Sequence, residues 1–69
     1  MITYNVVGSN NKVTILVKYL KIETGSNDIV TDSFPTKHED LDLNITLEDK
    51  FVDYLVELCE ELELKCEMI

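Results

Sequence analysis

Sixty-nine residues, 45% of them hydrophobic, suit one small α+β domain over residues 1–69, with a modest core because a chain this short buries only about 60% of its unfolded surface. Fourteen acids against six basic residues set the net charge at −8, and every one of the six is lysine. Without arginine, the preferred bidentate ligand of phosphates and base edges, direct binding to nucleic acid is disfavoured.

The chain opens on Thr3 to Val7, rich in β-branched and aromatic residues and followed by Gly8-Ser9-Asn10-Asn11, a cluster that favours a turn. Lys12 to Glu23 reads as a long strand: Val13, Ile15, Val17 and Tyr19 share one face and Thr14, Leu16, Lys18 and Leu20 the other, which makes it the expected sheet centre. Thr24 to Asp28 is a second turn, Ile29 to Phe34 a weaker strand, and the polar segment Pro35 to Asp40 a loop. Leu41, Leu43 and Ile45 alternate with Asp42 and Asn44, the pattern of a short half-buried strand. Thr46 is then the expected N-cap of a helix, with Glu48 and Asp49 favourably placed in its first turn.

That helix is predicted over Asp49 to Glu67, with an apolar seam of Phe51, Leu55, Leu58, Leu62 and Cys66. Opposite the seam stand seven acids, Asp49, Asp53, Glu57, Glu60, Glu61, Glu63 and Glu67, against two lysines. The expected fold is a small antiparallel sheet of three to four strands packed against one C-terminal amphipathic helix. A homodimer that buries further apolar surface would compensate for the small core.

Charge is unevenly spread. Residues 1–27 carry three lysines against one acid, for +2, and residues 28–69 carry three lysines against thirteen acids, for −10. No leader and no bilayer-length apolar run is visible in the sequence, so no membrane role and a cytoplasmic location are expected.

Chemistry-bearing patterns are sparse. Cys59 and Cys66, seven residues apart on one helix, would lie about 10.5 Å apart along its axis, too far for an internal disulfide, and read as small buried hydrophobes. A disulfide between two copies is the alternative. His38 is the single histidine, which leaves too few ligands for zinc. Asp40-Leu-Asp42-Leu-Asn44 begins like a calcium loop, but Ile45 occupies the position of the turn glycine and Phe51 that of the bidentate glutamate. No nucleophile motif or phosphate-binding glycine pattern appears, so the expectation is a non-enzyme without a cofactor.

The acids are more telling. They continue to the C-terminal end of the predicted helix, where its dipole disfavours them, and few lysines could pair with them. Eighteen residue steps span about 27 Å, so the seven carboxylates supply about one charge per 4 Å, against one per 3.4 Å along a strand of DNA. Asp40 and Asp42, with Glu39, would extend the row. In size, charge, sheet-plus-acidic-helix layout and the carboxylates Asp49, Asp53, Glu57, Glu60 and Glu61, the chain resembles the small acidic DNA mimics that phages make against host DNA-binding proteins. The resemblance implies an inhibitor that occupies the DNA site of a basic partner in the bacterial host cytoplasm, with the nucleoid protein HU as one such partner. An immunity or antitoxin protein that neutralises a basic toxin is the competing reading, and a small subunit docking through its apolar helix face is a third.

Overall fold

The computed structural model describes residues 1–36 and 39–69; His38 and part of the expected 35–40 loop lie outside the described residues. Strand β1 (Ile2–Ser9) runs directly into helix α1 (Asn10–Thr24), followed by β2 (Val30–Phe34) and β3 (Asp40–Leu47). One turn of 3-10 helix (Asp49–Phe51) leads into α2 (Val52–Glu61), and β4 (Lys65–Met68) comes last. The sheet order is β2-β3-β1-β4 with every neighbouring pair antiparallel. Two β-α-β units are thus interleaved, each enclosing a strand of the other, the split βαβ or ferredoxin-like arrangement. The fold is α+β as expected, with two helices in place of one.

The segment expected to be the central strand is α1. Its buried residues Val13, Leu16 and Leu20, with Val17 half-buried beside them, fall at helical spacing. The expected turn at 8–11 is instead a strand end meeting a helix start: Ser9 has extended geometry (φ −62, ψ 146) and its hydroxyl accepts from the Lys12 backbone N–H at 3.4 Å. Gly25, left-handed at φ 68, ends the helix by donating to the Lys21 carbonyl at 3.0 Å. The strand reading failed because Ile15, Tyr19 and Ile22 point outward, giving α1 a second apolar stripe besides its buried one, so a period of two fits almost as well as 3.6.

The sheet centre is β1 and β3, in register from Ile2 opposite Leu47 to Ser9 opposite Asp40. Val6, Leu43, Ile45 and Leu47 face both helices and form one core with Leu16, Leu20 and Leu55. The other sheet face has no covering element among the described residues and is mostly polar, with Val7 and Phe34 beside Asp42 as its apolar members. There Asn5 donates to Asp42 at 2.6 Å and to Asn44 Oδ1 at 3.1 Å, and the Thr46 hydroxyl lies 2.8 Å from that of Thr3. Thr46 is therefore a strand residue and not a helix cap; its backbone N–H donates to the Ile29 carbonyl at 2.8 Å. Helical structure starts after Glu48, which makes no side-chain cap.

Helix α2 stops at Glu61, six residues short of the predicted end at Glu67. Leu64 N–H donates to the Cys59 carbonyl (2.8 Å) and Glu63 N–H to the Glu60 carbonyl (3.2 Å), the paired bonds of a Schellman stop, with Glu63 left-handed at φ 56 where glycine is customary. The chain then turns back as β4, placing Cys66 opposite Val6 on β1. Leu64 lies over Gly8, where an added Cβ would overlap its side chain. Gly8 is thus kept small by a close approach within the core.

Candidate acidic interface

Helix α2 is amphipathic as read: Leu55 and Cys59 are buried, Leu58 and Leu62 pack beside them, and Asp53, Glu57 and Glu60 line the exposed side. Spacings of four and three residues put these three carboxylates in one stripe. Glu61 flanks the stripe, and Glu63 is exposed in the turn beyond it. Among the described residues none of these five acids forms an ion pair; the pairs present are the N-terminal amine with Asp49 (3.9 Å), Lys50 with Glu48 (3.7 Å) and Lys65 with Glu67 (3.6 Å). All three are exposed and contribute little stability. The last turn of α2 contains no basic residue, so its acids oppose the helix dipole unrelieved.

The single row of seven acids is divided in two by the fold. Asp49, Asp53, Glu57, Glu60 and Glu61 run along the 3-10 turn and α2 over about 20 Å, keeping about one charge per 4 Å. Glu67 belongs to β4 and stands opposite Asn5, so with Asp42 it faces the open side of the sheet, away from α2. Asp40 is exposed at the start of β3, opposite Ser9. Asp32, absent from the expected site, pairs with Asn44 and joins the open face. The strict alternation of Leu62, Leu64, Cys66 and Met68 with charged residues was the signal that this segment leaves the helix.

The same reversal brings together two cysteines that helical spacing had set apart. Cys59 and Cys66 are both free thiols and lie close enough to influence each other electrostatically. Burial, reinforced by the neighbouring Cys66, pushes the Cys59 thiol up to about 12, and burial also raises Cys66. Thiols held protonated are poor nucleophiles.

A second surface feature flanks α1. Between this helix and strands β2 and β3 runs an open groove of about 530 Å³, with Val17, Val30, Leu41 and Leu43 among its apolar lining and Lys18 and Lys21 along the helix side. It exists because β2 offers Val30 and then the exposed run Thr31-Asp32-Ser33-Phe34, so no large side chain fills the space beside α1.

Among the described residues no polar side chain is fully buried, no cluster of three or more His, Cys, Asp or Glu is arranged to hold a metal ion, and no helix is long and apolar enough to cross a membrane. No family model matches this chain, and no curated protein or solved structure shows significant similarity to it.

Proposed function

We propose that this chain is a non-enzymatic acidic binding protein whose α2 face occupies the DNA-binding surface of a basic protein in the bacterial cytoplasm. One observation carries the reading: Asp53, Glu57, Glu60, Glu61 and Glu63 are exposed on one helix and its exit turn, with no cation paired to them among the described residues. A helix that needed only solubility would gain from lysines at i+4. Glu63 adds support, since it holds a left-handed backbone position where glycine would cost less. The apolar face of α2 is occupied by this chain's own core, which favours contact through the acids over docking by the oily side.

The test is capture of partners from a bacterial lysate at low and high salt, followed by competition of the captured protein with duplex DNA. Exposed charges are screened beyond about 8 Å at physiological ionic strength, so capture should fail at high salt, and the chain and DNA should exclude each other. The fourfold variant Asp53→Asn, Glu57→Gln, Glu60→Gln and Glu61→Gln should stay folded and compete poorly, because truncating a charge that is paired in a desolvated interface costs about 2–5 kcal/mol. Undiminished competition by that variant would reduce the acids to a solvated surface.

A further inference from the structure

The groove beside α1 combines an apolar interior with a cationic wall. Val13, Val17, Val30, Leu41 and Leu43 line the interior, all aliphatic and without a polar side chain among them. Along the helix wall stand Thr14, Lys18 and Lys21, in one line because their spacings are four and three residues. The Thr14 hydroxyl is bonded to Asn10 Oδ1 at 3.2 Å, whereas neither lysine is ion-paired among the described residues. The chain has fourteen acids, yet none of them lines this groove. Helix α2 packs on β4, at the opposite edge of the sheet from β2, so its acid stripe lies on the far side of α1. On a molecule of net charge −8, an acid-free apolar cleft edged by two unpaired cations is the exception.

We propose that this groove binds a single-chain fatty acid, the alkyl chain lying along the aliphatic interior and the carboxylate held by the Lys18 and Lys21 ammonium groups. Its volume of about 530 Å³ suits a small ligand, since such sites span about 300–1,000 Å³. The interior side chains offer no hydrogen bond to the body of a ligand, so a sugar or nucleoside would lose its hydration without return. No aromatic side chain lines the groove among the described residues, which removes the stacking that selects flat rings. Two lysines one turn apart recognise an anionic head through charge-assisted hydrogen bonds. The groove is open to solvent, so the head and both ammonium groups stay at the water edge while the chain is covered. A free fatty acid fits better than a bilayer, because an anionic membrane reaching α1 would also meet the α2 acids on the same face of the sheet. Binding here does not involve the acid stripe and so does not depend on the proposed function.

Calorimetric titration of the full chain with decanoate, followed by backbone amide NMR spectra, tests the proposal. Decanoate should bind with a dissociation constant of about 10 μM, shifting the amides of Val17, Lys21, Val30 and Leu43 and leaving those of Asp53 and Glu57 in place. Decanol keeps the chain and lacks the charge, and should bind about 10-fold more weakly. Lys18→Gln combined with Lys21→Gln should weaken decanoate by about 10-fold and leave decanol unchanged. Val17→Trp fills the groove and should abolish binding of both. If that variant fails to fold, the lysine pair, at exposed and half-buried positions, carries the test. No saturable binding of decanoate up to about 1 mM, equal affinity for decanoate and decanol, or a lysine variant that binds decanoate as well as wild type would each overturn the proposal. So would groove amides that shift with chain concentration and not with decanoate, which would give the site to a second copy. Co-sedimentation of the protein with phosphatidylglycerol vesicles would give it to a bilayer and overturn it likewise.

Discussion

Helices α1 and α2 lie on the same face of one sheet and bury similar stripes, Val13, Leu16 and Leu20 in the first and Leu55 and Cys59 in the second. Their outer sides are opposites. α1 shows isoleucine, tyrosine and lysine to solvent, whereas α2 shows aspartate and glutamate. The inner sides are fixed by a shared packing problem and so converge. The outer sides are released from that demand and diverge.

The largest test of this contrast concerns the inner sides. Leu16→Ala and Leu55→Ala, both at fully buried positions, should each cost about 2–5 kcal/mol in chemical denaturation. A loss below 1 kcal/mol at either position would mean that the helices do not share the core equally.

The helix ends sharpen the comparison. Both stop on a left-handed residue, Gly25 after α1 and Glu63 after α2. No atom lies near a Cβ added at Gly25, so Gly25→Ala should lose about 1 kcal/mol through backbone conformation alone. Glu63→Gly should gain up to about 1 kcal/mol at the same kind of position. Destabilisation by Glu63→Gly would show that the Glu63 side chain contributes to the fold and is not merely tolerated there.

The last effect is absent at neutral pH and confined to the alkaline range. The folded Cys59 thiol, raised to about 12 from 9.0, stays protonated where the unfolded thiol ionises. The unfolded state then binds fewer protons than the folded state, so stability falls as pH rises from about 9 toward 12, by at most about 1.4 kcal/mol per pH unit for one group. Below pH 8 this site should contribute no slope. Cys59→Ala should flatten the alkaline decline, and an unchanged slope in that variant would assign the decline to other groups.

The contrast between the helices also explains which parts of the fold were legible in the sequence. Strands β1, β2 and β3 announce themselves through β-branched runs and through the alternation of Leu41, Leu43 and Ile45. The α2 acids Asp53, Glu57 and Glu60 were legible because a one-sided helix has a clear period. α1 was not, because Ile15, Tyr19 and Ile22 add a second apolar face that masks the first. Its cap, Ser9, follows a glycine and precedes two asparagines, so the local chemistry suits a turn as well as a helix start. The exit from α2 was hidden because Glu63 occupies the left-handed position without a glycine to mark it. That one turn moves Glu67 to the opposite side of the molecule from the acid stripe and brings Cys66 to Cys59.

The interleaved strand order has a consequence for severing the chain. Cut between Thr36 and Glu39, it yields one piece with β1 and β2 and another with β3 and β4, and in neither piece are the two strands neighbours in the sheet. Each fragment alone would hold two edges and no hydrogen-bonded strand pair of its own, so neither should be stable in isolation. Mixed, they supply each other's missing neighbours. Two tethered proteins carrying the halves would thus report their encounter by the appearance of a folded sheet.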